Sequence, residues 1–215
     1  MKKIKYKNET WCIVTARKNS KSIKRKNITK IKNKELIKYS FDQIKSLKKI
    51  IQKNIVSTDD DKIRKISKNY KFEVIPRNPK LAGDLVNSVD VVLDVLKKSH
   101  VIHGYLPKIF FLIQPTSIFL QSNHILKLKK ILQQKKFFSA QTIIKVPHQF
   151  HAYNQRYLKK NNQTGFVFEK KRMSMHNKQT KPRFFAYGNL IACRTEKFLK
   201  YRNFFIKPSY GYVIP

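Results

Sequence analysis

The sequence predicts a three-layer α/β/α fold whose sheet is doubly wound and mostly parallel. Short runs of β-branched and apolar residues alternate along the chain with stretches of helical spacing. This alternation is typical of a sheet covered by helices on both faces. The run at 108–114 is the strongest apolar segment, which indicates a central strand buried on both sides.

The elements follow one another in a simple order. Strands are predicted at 10–15, 54–58, 72–75, 108–114, 139–146 and 210–214. Helices are predicted at 34–51, 60–69, 87–98 and 121–133. Ligands of such sheets bind beyond the carboxyl ends of the strands. We therefore expect the functional residues in the segments that follow Thr15, Thr58, Ile75 and Gln114.

The segment 147–181 breaks this alternation, because it is polar and basic with scattered aromatic residues. We expect one domain over 1–215, from which this segment projects as a dimerisation arm or a mobile lid. Aromatic residues such as Phe150 and Phe168 argue against disorder there. No cluster of ligands accompanies His148 and His151, so we expect solvated loop histidines rather than a metal site.

The net charge is +36, from 48 Lys and Arg against 12 Asp and Glu. Such an excess suggests a nucleic-acid binder. However, the cations are spread along the whole chain, and the joint excess of Lys, Asn and Ile is typical of a biased genome. We therefore expect no nucleic-acid partner, although the charge should attract anionic nucleotides.

The two cysteines, Cys12 and Cys193, are too few for a disulfide framework or a zinc site. Both lie in apolar runs, so we expect buried thiols. No apolar run approaches the length of a membrane span. These features predict a soluble cytoplasmic protein without a membrane partner.

The first candidate site is the basic loop at 16–27, between the first strand and the first long helix. Its cations and backbone amides suit a triphosphate. It is not a Walker loop, because no Gly-Lys-Ser/Thr is present. On composition alone, a solvated basic loop is the more common meaning of such a segment.

The order of residues in this loop resembles the N-terminal signature of acylneuraminate cytidylyltransferases, Ala-Arg-x-x-Ser-Lys-x-(Ile/Leu)-x-x-Lys-Asn. The fixed positions are occupied by Ala16, Arg17, Ser20, Lys21, Ile23, Lys26 and Asn27. Further family motifs are matched in order at 56–59, 77–84, 88–92 and 112–117, with weaker likeness at 178–182 and 204–206. Each motif alone is weak, but their common order over nearly the whole chain makes the resemblance specific.

The resemblance implies a nucleotide-diphospho-sugar transferase-like fold and a homodimer. It also implies transfer of CMP from CTP to a nonulosonic, sialic-type acid, with release of pyrophosphate. Arg17 and Lys21 would be the catalytic residues that hold the triphosphate. The nucleotide would be bound by Ala16, Arg17, Ser20, Lys21, Lys26, Asn27, Arg77, Leu81, Asp84 and Ser88. The sugar acid would be bound by Gln114, Lys178, Phe204 and Phe205.

Two departures from the family pattern bear on activity. Lys178 stands where the family has an arginine, and a lysine cannot make the bidentate contact that a guanidinium makes with a carboxylate or phosphate. The family ends with an Asp-x-Asp that carries Mg²⁺, and this motif does not occur before Pro215. We therefore assign no metal ligand within the sequence. Mg²⁺ is expected to be held beyond Pro215, in a chain that is truncated here, or to be supplied by CTP, and turnover is expected to be poor.

Several alternatives stay open. Asp59 and Asp60 would serve equally well as caps of the following helix, and Asp84 as a loop carboxylate. The protein as a whole could be a nucleotidyltransferase of the same fold for another sugar acid, an inactive homologue, or a basic nucleic-acid-binding protein.

Overall fold

The computed structural model describes residues 4–215. The strands are β1 Tyr6–Thr15, β2 Lys30–Ile31, β3 Lys34–Glu35, β4 Lys53–Thr58, β5 Glu73–Pro76, β6 Leu106–Ile113, β7 Ser139–Lys145, β8 Arg156–Leu158, β9 Thr164–Phe166, β10 Phe185–Arg194 and β11 Ser209–Ile214. The helices are α1 Leu36–Lys45, α2 Asp61–Asn69, α3 Ser88–His103, α4 Ser122–Gln133, α5 Glu169–Ser174 and α6 Thr195–Tyr201.

Seven strands form one sheet in the order β11-β7-β10-β6-β1-β4-β5. β1 pairs in parallel with both β4 and β6, and β4 pairs in parallel with β5. β10 runs antiparallel to β6. This confirms the predicted mostly parallel sheet, and it brings the carboxyl ends of β1, β4, β5 and β6 to one edge.

The sheet separates two hydrophobic cores, as its interior strand β1 illustrates, because successive side chains of a strand point to opposite faces. Cys12 belongs to the core that includes Phe41 of α1 and Leu128 of α4. Trp11 belongs to the core that includes Val95 of α3 and Phe198 of α6. Helices therefore cover both faces of the sheet, which confirms the three-layer prediction.

The two cysteines are buried free thiols, as predicted. Burial raises the pKa of Cys12 and of Cys193 far above the ordinary value for a thiol. Both side chains therefore pack as small apolar groups and are protonated at neutral pH.

The predicted elements differ from the observed ones in several places. The helix predicted at 34–51 ends at Lys45, where the Ser46 hydroxyl donates to the Gln43 carbonyl at 2.7 Å and competes with helical hydrogen bonding. α3 continues beyond the predicted end to His103 and stops at Gly104, whose φ of 72° is the left-handed conformation of a helix end. The strand β10 and the helix α6 were not predicted from the sequence.

The chain divides into two compact units. The first comprises 1–141 and 189–212, and the second comprises 142–188 and 213–215. The segment that was expected to project, 147–181, lies within the second unit. No helix of the described chain is long and apolar enough to cross a membrane.

The second unit contains the β8–β9 hairpin, α5 and an aromatic cluster around His151. The His151 ring stacks on Phe184 with 4.5 Å between centroids, and its Nε2 lies 3.0 Å from the Pro182 carbonyl oxygen. His151 is only 6% exposed. The prediction that it is a solvated loop histidine is therefore wrong, whereas His148 is exposed as expected.

Candidate functional site

A cleft of about 250 Å³ opens in the first unit where β1, β5 and β6 end and α3 begins. Its position is the one that the fold predicts for a ligand, beyond the carboxyl ends of the strands. The residues that line it are Thr15, Arg17, Ser20, Lys26, Asn27, Arg77, Leu81, Gly83, Asp84, Val86, Ser88, Val91, Gln114, Pro115 and Thr116.

Most of the sequence-predicted site residues meet in this cleft, although they come from four separate motifs. Those that line it are Arg17, Ser20, Lys26, Asn27, Arg77, Leu81, Asp84, Ser88 and Gln114. Lys21 is close by, with its Nζ 3.8 Å from Asp84 Oδ2. Ala16 is fully buried and its amide donates to the Ser57 carbonyl at 3.0 Å, so it fixes the start of the loop through its backbone.

Asp84 faces two of the cations that were predicted to hold a triphosphate. Arg17 Nη1 lies 2.6 Å from Asp84 Oδ1 and also donates to the Ala82 carbonyl at 3.4 Å. With Lys21 on its second oxygen, Asp84 ties the basic loop to the segment before α3. A phosphate that binds Arg17 and Lys21 therefore has to compete with this carboxylate.

Asn27 closes the basic loop on itself. Its Nδ2 donates to the Arg17 carbonyl at 2.9 Å, and the residue is only 7% exposed. This bond joins the first and last residues of the loop 17–27. The loop therefore presents Arg17 and Lys26 to one cleft rather than to open solvent.

Arg77 is a buried cation at the floor of the cleft, with 8% of its surface exposed. Its guanidinium donates to the Ser57 carbonyl at 3.2 Å. Burial lowers the pKa of Arg77, against the favourable charge of Asp59 and with a smaller contribution from the positive charge of Arg17. Within residues 4–215 it forms no ion pair, so an anionic or strongly accepting ligand would stabilise it.

Asp59 and Asp60 follow β4 and stay outside the lining of the cleft. Asp60 Oδ1 accepts from the amides of Lys62 and Ile63 at 2.8 and 3.2 Å. This confirms that Asp60 caps the helix that follows. Its other oxygen accepts from Arg25 in the basic loop, so the cap has a second contact.

The remaining predicted sugar contacts lie elsewhere. Lys178 lines a cavity of about 740 Å³ in the second unit, together with Lys145, His148, Lys181 and Arg183. Phe204 is 7% exposed in a hydrophobic core. Phe205 is 52% exposed. The structure therefore does not bring these three residues into the first-unit cleft with Gln114, and their roles stay predictions.

The cleft also contains residues that sequence reasoning missed. The hydroxyl-bearing Thr15 and Thr116 both line it. Thr15 ends β1 directly before the signature, and Thr116 lies inside the matched motif 112–117. Their adjacency to motif residues at strand ends was the signal that would have found them.

The described residues do not fit a protein-held Mg²⁺ site. In the described part of the chain, no three His, Cys, Asp or Glu side chains cluster closely enough to hold a metal. Asp84 is the one carboxylate that lines the cleft within this part, and it is engaged by Arg17 and Lys21. Mg²⁺ prefers several oxygen ligands in octahedral geometry, which this arrangement does not offer.

A family model described as Cytidylyltransferase matches residues 11–207, which include every part of the cleft. The chain belongs to the cytidylyltransferase family. This agrees with the resemblance that the motifs indicated.

Among characterised cytidylyltransferases, this chain is 28% identical to pseudaminic acid cytidylyltransferase of Campylobacter jejuni over 212 residues, which cover 95% of this chain and 86% of the relative. It is 37% identical to CMP-N,N'-diacetyllegionaminic acid synthase of Campylobacter jejuni over 92 residues. That match covers 42% of this chain and only 39% of the relative's length.

The fold of this chain is shared with a solved structure of CMP:2-keto-3-deoxy-manno-octonic acid synthetase complexed with CTP. The two superpose with a TM-score of 0.66 over 96% of this chain and 90% of the other. Their sequence identity is 13%, so the likeness shows the fold alone.

Proposed function

We propose that this cytidylyltransferase transfers CMP from CTP to a nonulosonic acid and releases pyrophosphate. The observation that carries the proposal is the convergence of Arg17, Lys26, Arg77 and Gln114 on one cleft at the carboxyl edge of the sheet. Relatives named for pseudaminic and legionaminic acids support a nine-carbon sugar acid as the acceptor.

In the proposed reaction, the oxygen of the sugar's anomeric hydroxyl attacks the α-phosphorus of CTP. A new phosphorus–oxygen bond forms, and the bond from the α-phosphorus to the oxygen that bridges to the β-phosphorus breaks. Pyrophosphate leaves with that electron pair, and the hydroxyl proton passes to solvent. The reaction needs alignment of two bound molecules and stabilisation of charge, rather than covalent participation of side chains.

The cleft residues have distinct roles in this proposal. Arg17 and Lys21 neutralise the phosphates, and they exchange Asp84 for phosphate oxygens when CTP binds. Lys26 and Asn27 close the loop over the triphosphate. Arg77 and Ser88 contact the cytidine, and Gln114 contacts the sugar acid, since a long polar side chain at the end of an apolar strand has no packing role.

We propose that Mg²⁺ enters with the triphosphate, because the described residues form no site for it. When bound, the ion neutralises phosphate charge. The side chains of Arg17 and Lys21 then add to this neutralisation from the protein side.

A homodimer and a cytoplasmic location complete the proposal. The second unit exposes large apolar side chains, including Phe150 at 65%, Leu158 at 72% and Met173 at 61%. Exposed apolar side chains grouped in one small unit are typical of an interaction surface, which a second copy of the chain would cover. The cytoplasm is proposed because the reaction consumes CTP.

Pyrophosphate release tests the proposal. The protein is incubated with Mg²⁺, each of CTP, ATP, GTP and UTP, and each of sialic, legionaminic and pseudaminic acids. Release that needs both CTP and one sugar acid is the expected result. Binding of CTP without release would identify an inactive homologue, whereas no CTP binding, together with tight and salt-dependent binding of DNA or RNA, would replace the enzyme by a polyanion-binding protein.

A further inference from the structure

The basic loop 17–27 supplies four residues of the cleft, yet it has little regular structure of its own. Its local order consists of a turn closed by the Lys26 amide on the Ile23 carbonyl at 3.2 Å and the short 3-10 helix Lys26–Ile28. A loop rich in like charges repels itself, and fixing its backbone costs conformational entropy. Contacts from outside the loop are therefore expected to help the internal Asn27–Arg17 hydrogen bond hold Arg17 and Lys26 in place.

Two adjacent carboxylates after β4 provide such contacts. Asp59 Oδ1 accepts a hydrogen bond from the Lys18 amide at 2.8 Å, near the beginning of the loop. Asp60 Oδ2 accepts from Arg25 Nη2 at 2.8 Å, near its end. The loop is thus attached at both ends to the carboxyl end of one strand of the sheet.

The Asp60 attachment is rigid. The Asp60 side chain is only 1% exposed, and its other oxygen fixes the start of α2. Burial opposes its ionisation, but hydrogen bonds from Arg25 and from the Ile63 and Lys62 amides outweigh burial and hold the pKa of Asp60 below its ordinary value. The carboxylate is therefore charged at neutral pH and cannot shift without disturbing the helix.

The backbone of Arg25 has an unusual conformation at this attachment. Its φ of 54° and ψ of 37° are left-handed, a conformation that is uncommon for a non-glycine residue. Its carbonyl accepts from the Ile28 amide at 3.0 Å and so begins the turn that orients Lys26 and Asn27. Arg25 itself falls at a position that the family signature leaves open.

We infer that Asp59 and Asp60 are positioning residues that order the loop 17–27 before CTP arrives, Asp59 through Lys18 and Asp60 through Arg25. This inference rests on the proposed function, because it makes loop order a requirement for triphosphate binding. Neither carboxylate lines the cleft, so each acts through the loop rather than on the ligand.

The substitution Asp60→Asn separates positioning from helix capping. Asparagine caps helices as well as aspartate does, so α2 keeps its cap while Arg25 loses its charged partner. Asp60→Asn and Arg25→Gln are each expected to raise the Kd for CTP about tenfold, and the double variant no further, because both remove one interaction. The matched control is Asp61→Asn, whose carboxylate pairs with Arg64 on the exposed side of α2 and is 88% exposed; it should leave the Kd unchanged.

Amide hydrogen exchange, measured without nucleotide, reports the order of the loop independently of the reaction. Amides of 17–29 should exchange faster in Asp60→Asn and Arg25→Gln, while those of α3 keep their wild-type rates. Unchanged loop exchange, equal loss of protection in α3, or faster loop exchange with an unchanged CTP Kd would each overturn the inference. Failure of the wild-type protein to bind CTP would overturn the proposed function instead, and the exchange rates would still decide whether Asp60 orders the loop through Arg25.

Discussion

The cations of the two units are held in different ways. In the first unit, Arg17 and Lys21 pair with Asp84 at the cleft, and Arg25 pairs with Asp60 outside its lining. In the second unit, Glu169 is the only acidic residue of 142–188. There Lys181 is held by the neutral side chain of Asn154, with its Nζ 2.7 Å from Oδ1.

The second unit replaces carboxylates by neutral and aromatic partners throughout. Arg156 and Arg172 lie 4.5 and 5.3 Å from the centre of the Phe166 ring. Burial and then the charges of Lys181 and Lys178 lower the pKa of His148. Arg17 and Lys21 therefore have a carboxylate partner before a ligand binds, whereas Lys181 of the second unit has a neutral one.

The largest expected effect concerns a paired cation of the cleft. Arg17→Ala should lower kcat/KM for CTP about a thousandfold, because it removes a fixed donor from the developing negative charge. The measurement is the initial rate of pyrophosphate release. Lys18→Ala is the matched control, since Lys18 contributes only its backbone amide to Asp59 and its side chain is outside the cleft. Equal losses in both variants would show that total charge matters rather than position.

The next prediction compares Phe204 and Phe205, the two aromatic residues that the sequence assigned to the sugar acid. Phe204 packs on Phe198 with 5.0 Å between ring centroids, so Phe204→Ala should lower the free energy of unfolding by about 3 kcal/mol. Phe205→Ala should change it by less than about 1 kcal/mol, because that ring is half exposed. Chemical denaturation measures both values.

Kinetics then decides the role of the two rings. A raised KM for the sugar acid is expected only in Phe205→Ala. The same change in the milder variant Phe204→Leu, without loss of stability, would contradict the placement of Phe204 in the core.

Most strands of the sheet could be predicted from the sequence, because the spacing of apolar residues and the residue types of a segment are local properties. The β-branched run that became β1 and the helical spacing that became α3 are each visible within a short window. β10 was missed although Leu190–Cys193 is apolar, because its first residues, such as Phe185 and Tyr187, are exposed and follow a basic segment. A strand that begins outside the core lacks the pattern of a buried one.

The site residues that could be predicted from the sequence are those that lie in a recognisable motif directly after a strand. Arg17, Arg77 and Gln114 come from distant motifs, yet each follows the end of a strand, and the topology brings those ends together. For Asp59 and Asp60, the sequence offered helix capping beside the motif match at 56–59, and it did not predict their contacts with the basic loop. Their contacts with Lys18 and Arg25 join residues 41 and 35 positions apart, which no local pattern encodes.

A smaller effect is expected from an unpaired cation of the second unit. Lys178 is exposed and forms no ion pair within the described residues. Lys178→Ala should raise the KM for the sugar acid about tenfold and leave the KM for CTP unchanged, because it removes one charged contact. Lys178→Arg should lower that KM, since a guanidinium binds a carboxylate in a bidentate manner. Lys170→Ala controls for net charge, and a rise in the KM for CTP would place Lys178 on the nucleotide instead.

The smallest expected effect is a difference between the two units in how much amide protection each loses at low pH. Hydrogen bonds from Arg25 to Asp60, and from Lys34 and Tyr70 to Asp42, outweigh burial and hold the pKa of both carboxyls below the unfolded value. A carboxyl whose pKa is depressed on folding contributes stability that is complete above its unfolded pKa of about 3.9 and is lost as the pH falls through the folded pKa.

Hydrogen exchange corrected for intrinsic rates should therefore show α1, α2 and the loop 17–27 losing protection several-fold below about pH 4. The β8–β9 hairpin, in a unit whose only carboxylate side chain is that of Glu169, should keep its protection, and a simultaneous loss in both units would show that ion pairs in the first unit do not account for its order.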